Sequence, residues 1–155
     1  MYIHHVSIAL SAFVVMFAND LVFAVEKVIV KTKTPPAIIV VTKGGSAMSP
    51  FSLLSAEFPN QSSFKSKKLK GIAWRSTAYP QSFGETVELC YYRPYSIHPM
   101  SCTALTPNAS GVLVKYNNER FGAGVKVIIR HRVVGGGPRV SYPQGSDSLT
   151  FTYSD

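Results

Sequence analysis

The stretch VEKVIVKTKTPPAIIVVT, residues 25 to 42, decides how the rest of the chain is read. In its first part Val28, Val30, Thr32 and Thr34 fall on one side of an extended backbone, while Ile29, Lys31 and Lys33 fall on the other. A period of two belongs to a β-strand with two different faces. Pro35 and Pro36 end that strand, because neither donates to a ladder and each turns the residue before it away from helix. AIIVVT, residues 37 to 42, is an unbroken β-branched run, which predicts a strand buried on both faces and closed by Gly44 and Gly45.

Downstream the same signals recur. KGIAWRST (70 to 77), ETVELCYY (85 to 92), GVLVKY (111 to 116), GVKVIIRHRVV (124 to 134) and SLTFTY (148 to 153) read as strands, and FSLLSAEF (51 to 58) fits either a strand or a short helical turn. Ten prolines and eleven glycines punctuate the chain, and no window of a dozen residues holds a helical period. The expected fold is all-β, an antiparallel sandwich. At 155 residues there is material for one core, and with 46% hydrophobic and 15% charged residues the chain is too apolar for disorder and too lightly charged for a coiled coil.

Upstream, VSIALSAFVVMFA, residues 6 to 18, carries no charge and is shorter than the roughly 20 residues that a membrane-spanning helix needs. It reads as the apolar part of a secretory signal peptide over residues 1 to 24, with Val22 and Ala24 at the small positions before the cut and Val25 as the new N-terminus. Export would place Cys90 and Cys102 in an oxidising compartment, where they can pair only with each other. Closing a loop of that size stabilises a fold by roughly 3 kcal/mol in the chain-entropy account. Their bond would turn YYRPYSIHPMS, residues 91 to 101, into a constrained, tyrosine-rich loop.

Catalytic chemistry is thinly supplied. After the leader only His98 and His131 remain, and Glu26, Glu57, Glu85, Glu88, Glu119, Asp147 and Asp155 form no motif. Glu85 and Glu88 fall on opposite faces of one strand, a poor arrangement for an acid and base pair, and His131 alternates with Ile129 and Val133 as an edge-exposed or a satisfied core histidine would, more than as a catalytic base. The cysteine and histidine spacings match no zinc pattern, and the glycine runs at 121 to 124 and 135 to 137 lack the strand, loop and helix order of a phosphate cradle. Neither an enzyme nor a cofactor is expected.

Charge is more informative, since 16 basic residues stand against 8 acidic ones. FKSKKLKGIAWR, residues 64 to 75, concentrates Lys65, Lys67, Lys68, Lys70 and Arg75, with the core SKKLKG spaced like short heparin-binding motifs. A polyanion contact is the functional reading and a solvated basic loop the plain one. Export argues against a nucleic-acid partner.

An exported chain with an alternating strand at each end of a sandwich pattern resembles a subunit of bacterial chaperone-usher fimbriae. VEKVIVKTKTPPAIIVV is similar to the mature N-terminus of the enterotoxigenic colonisation-factor pilins, with Val25, Glu26 and Lys27 matching their Val-Glu-Lys opening. The resemblance implies an immunoglobulin-like sandwich that lacks a strand, with residues 25 to 36 as a donor-strand extension and 37 to 155 as the pilin-like domain. Val28, Val30, Thr32 and Thr34 would be the donor side chains, and Leu149, Phe151 and Tyr153 would line the acceptor groove. The implied partners are a periplasmic chaperone, an outer-membrane usher, neighbouring pilus subunits and an anionic host-surface glycan. The expected role is then a minor or tip-associated fimbrial subunit at the cell surface. The competing expectation is a self-contained secreted sandwich that binds an anionic polysaccharide or glycan.

Overall fold

Eleven strands, all paired antiparallel, build two facing sheets and a small flap in the computed structural model, which describes residues 25–58 and 67–155. The signal-peptide reading of residues 1 to 24 and Lys65 of the basic cluster lie outside the described residues.

The larger sheet has the order β1-β11-β4-β7, formed by Lys27–Lys33, Asp147–Ser154, Lys67–Arg75 and Ser110–Leu113, with β8 (Arg120–Phe121) extending one end of β4. The second sheet has the order β3-β9-β5-β6, formed by Gly45–Ser52, Lys126–Val134, Phe83–Tyr92 and Ser101–Leu105. A two-stranded flap joins β2 (Ile38–Ile39) to β10 (Val140–Ser141). A single 3-10 turn, Ser55–Glu57, follows β3.

Alternation sets the core. Leu149, Phe151 and Tyr153 of β11 point inward, as do Val127 and Ile129 of β9 and Val87, Leu89 and Tyr91 of β5, and all are buried. Burial of each such large side chain stabilises by about 1.5–3 kcal/mol. A second, smaller cluster of Ile38, Val40, Ala47, Tyr79 and Val133 lies under the flap.

Three expectations are corrected. The first concerns β1, whose faces are reversed: Ile29 is buried, whereas Val28 and Val30 are 57% and 66% exposed, and Thr32 and Thr34 are exposed too. The cause is register. β1 pairs with β11 of its own chain over seven residues, Ile29 opposite Phe151, so the lysines beside Ile29 reach acids at the sheet margin: Lys27 bonds Asp155, and Lys31 meets Glu57 at 2.8 Å.

The second concerns AIIVVT, of which only Ile38–Ile39 forms a strand, and Ile39 and Val41 stand exposed. A tight turn intervenes, in which the Val41 and Gly44 backbones exchange hydrogen bonds at 3.1 and 2.8 Å and Gly44 takes a φ of 99°. An added Cβ at Gly44 would lie 2.1 Å from the Val133 carbonyl oxygen, so the residue is fixed by space as well as by φ. Gly45 therefore begins β3 instead of closing a strand, and Pro50 is tolerated within β3 because β3 is the edge of its sheet.

The third concerns Lys67, which is buried with its amine 5.3 Å from the centre of the Phe58 ring. Lys67 and Leu69 share the inward face; a bulge opposite Thr152 and Tyr153 then shifts the phase at Lys70, so that Ile72 and Trp74 face in. Lys68, Lys70 and Arg75 face out.

Candidate functional site

Two features lie at the end of the sandwich where β1 finishes and β11 begins: a polar cleft, and beneath it a buried charged cluster. The cluster is centred on His131, which is fully buried and which the alternation of β9 carries inward beside Ile129 and Val133. Its Nδ1 lies 2.9 Å from Glu85 Oε1, and its Nε2 lies 3.0 and 3.2 Å from the two oxygens of Asp147, itself fully buried at the start of β11. Burial alone would lower the pKa of this imidazole; the hydrogen bonds and charges of Asp147 and Glu85 outweigh it and raise the value to about 9. His131 is therefore a cation at neutral pH, bridging two carboxylates.

The remaining valences are filled. Ser49 Oγ donates to Asp147 Oδ2 at 2.6 Å, the Thr77 amide donates to Asp147 Oδ1 at 2.8 Å, and the Tyr79 amide donates to Glu85 Oε2 at 2.9 Å. The Tyr79 ring stands edge-on to the imidazole at 5.3 Å while its hydroxyl donates to the Pro36 carbonyl at 2.6 Å. The serine donates to the aspartate and not to the ring, so its hydroxyl is not the activated nucleophile of a serine hydrolase. The cluster joins β9 and β5 of one sheet to β11 of the other and, through the Tyr79 hydroxyl, reaches the Pro36 carbonyl just before β2. Sequence reading had the alternation that turns His131 inward but not its partners, which stand 46 and 16 residues away.

The cleft has a volume of about 360 Å³ and is lined by Thr32, Arg75 to Thr77, Asn108, Gln144 to Ser146 and Ser148. Thr32, Ser148 and Arg75 are side-by-side partners on β1, β11 and β4. The loops that complete it are cross-linked: the Gly145 amide donates to Thr77 Oγ1 at 2.8 Å, the Asn108 amide to the Thr77 carbonyl at 3.1 Å, and the Gln144 amide to the Ala78 carbonyl at 2.8 Å. Thr34, placed by sequence in a donor strand, instead shares a 2.6 Å hydrogen bond with Ser146.

Arg75 links the cleft to the outer face of the larger sheet. Across that face run two rows set by register, Thr32-Ser148-Arg75-Ser110 and Val30-Thr150-Ala73-Val112. Lys68 and Lys70 lie farther along β4, and none of the residues in these rows is acidic. Of the five basic residues singled out in sequence, the structure thus brings Lys68, Lys70 and Arg75 to one face and removes Lys67 from it. Trp74 does not join them, since it packs inward against Gly111, where an added Cβ would come within 2.8 Å of its ring.

The cysteines are joined as expected: Cys90 on β5 faces Cys102 on β6 with an S–S bond. The Glu88 carboxylate lies within 4.8 Å of both sulfurs, but a disulfide offers no thiolate to a metal. The bond points to an oxidising, non-cytoplasmic compartment. Among the described residues no helix is long and apolar enough to cross a membrane.

No protein-family model matches the chain, and no curated protein sequence matches it. Among solved structures it is similar to the crystal structure of FlhE, with a TM-score of 0.55 and 20% identity, over 84% of this chain and 98% of that one. The likeness is one of fold. It supplies no sequence support for the fimbrial resemblance.

Proposed function

We propose that this chain is a self-contained, exported, non-catalytic β-sandwich module that holds an anionic polysaccharide or glycan on the outer face of its larger sheet. The observation that carries the reading is the seven-residue pairing of β1 with β11 of the same chain, which closes the groove that a donor strand would otherwise have to fill and turns Val28 and Val30 outward. On the face so completed, Lys68, Lys70 and Arg75 form no ion pair with an acid among the described residues, and a polyanion laid along β4 would neutralise them in turn.

One observation favours the fimbrial reading as the second. β1 is an edge strand whose one ladder partner among the described residues is β11, so the β1 of another copy would fit the same place in the same register. In that case the chain would be a pilus subunit handled by a chaperone and usher.

Light scattering after size-exclusion of the oxidised chain from Val25 separates the two. A monomer whose size and melting point ignore a peptide of residues 25 to 36, and which binds heparin with an affinity that falls steeply with salt, supports the self-contained module. Substituting Lys68→Glu and Lys70→Glu together should weaken that binding about tenfold or more, at about 1 kcal/mol per exposed charge contact. Self-association relieved by the peptide would favour the pilus subunit, and heparin binding indifferent to salt and to both substitutions would overturn the basic face as the site.

A further inference from the structure

The cleft at Arg75 carries a more specific reading than general attraction for polyanions. Its lining is hydroxyl and amide throughout, with Arg75 its single charged residue. The Arg75 guanidinium, the side-chain amides of Asn108 and Gln144 and the hydroxyls of Thr32 and Ser148 have no hydrogen-bond partner among the described residues, while the backbone around them is tied by the loop contacts given above. Donors and acceptors are thus displayed from a fixed frame, which lowers the ordering cost of binding.

The composition selects a ligand class. A phosphate or sulfate site gathers several cations or a nest of backbone N–H groups, because the ligand concentrates its charge on one centre. Here one guanidinium is surrounded by neutral groups, which matches a molecule with a single carboxylate and several hydroxyls. The volume of about 360 Å³ lies at the small end of the range for ligand sites and suits one sugar ring. Beneath the floor lie the carboxylates of Glu85 and Asp147, and Arg75 is the one cation of the lining itself. The carboxylate must then be held by Arg75, through a bidentate pair that a neutral sugar cannot make.

We propose that the cleft is a selective subsite for a carboxylated sugar, a uronic acid unit, within the acidic polysaccharide that runs along β4. Arg75 takes the carboxylate, and Asn108, Gln144, Thr32 and Ser148 take the ring hydroxyls. The proposal rests on the module reading above.

The test follows amide shifts of the isotopically labelled, oxidised chain during titration with glucuronate and with glucose, alongside heparin binding by the same sample. Glucuronate should move the amides of Thr77, Asn108 and Gly145, glucose should bind at least about tenfold more weakly, and Arg75→Gln should weaken glucuronate by about tenfold, as expected for loss of one charge-assisted pair. Equal response to both sugars, or glucuronate binding that survives Arg75→Gln, would overturn the subsite. Heparin binding without any response to glucuronate would overturn the subsite alone; failure of both would overturn the module reading with it.

Discussion

At the cleft end of the sandwich the interior is charged: His131 sits between Glu85 and Asp147, and Ser49 and the Thr77 and Tyr79 amides complete the shell. At the opposite end the interior is aromatic. Phe58, Phe121 and Tyr153 meet at centroid distances of 5.2 to 6.0 Å, Tyr91 stacks on Tyr116 at 4.8 Å, and the loop from 93 to 100 is held at its base by the Cys90–Cys102 bond. Tyr95 in that loop is 83% exposed and has a φ of 60°, locked by its amide's 3.0 Å bond to the Gly124 carbonyl. One end is thus held by directional contacts among ionised groups, and the other by ring packing and a covalent tie. Their stabilities should answer to different variables, although both close the same two sheets.

The largest expected effect comes from His131→Leu, which leaves the buried Asp147 carboxylate and the mostly buried Glu85 carboxylate without their cation. It should cost about 3–5 kcal/mol, read as a fall in the urea midpoint of the oxidised chain. A loss below about 1 kcal/mol would show that the cluster does not hold the cleft end.

The next concerns pH. The folded pKa of His131 is raised from 6.5 to about 9, so the stabilisation it gives is fully present below 6.5 and is lost as pH rises through 9. Stability should fall by about 3 kcal/mol across that window, since each tenfold gain in proton affinity on folding contributes about 1.4 kcal/mol. Urea titrations at fixed pH values would measure the fall, which His131→Leu should remove.

Of similar size is the double substitution Cys90→Ser and Cys102→Ser, which should cost roughly 3 kcal/mol by freeing the unfolded loop. Here the pH slope should persist unchanged, since the two ends share no titrating group. A slope that vanished with the disulfide would break the comparison. Smallest is Gly124→Ala, where φ is +85° and the new Cβ would meet the Tyr95 ring at 2.8 to 2.9 Å; about 1–2 kcal/mol should appear in the thermal midpoint, again without altering the pH slope.

Strand positions were legible because burial on a sheet imposes a period of two: β5, β9 and β11 lie within two residues of where the alternation placed them, while β4 begins three residues earlier than the expected 70 to 77. The inward set Leu149, Phe151 and Tyr153 was legible for the same reason. The faces of β1 were not, because VEKVIVKTK offers valines on one side and an isoleucine flanked by lysine stems on the other. The choice depends on Phe151 and on acids at 57 and 155, all far along the chain. Lys67 was misplaced by a bulge whose position is set across the ladder, and AIIVVT by a turn that leaves its β-branched side chains without a second sheet. The cleft was visible only through Arg75 and Thr32, since Asn108, Gln144 and Ser146 are ordinary loop residues until the fold gathers them.

The pairing of Lys27 with Asp155 brings the start of β1 and the end of β11 together at the loop end. β11 has eight residues, each rising about 3.3 Å, so both strand ends lie on the order of 25 Å from the cleft. Any tether joined before Lys27 or after Asp155 would leave the sandwich on the far side and present the cleft outward.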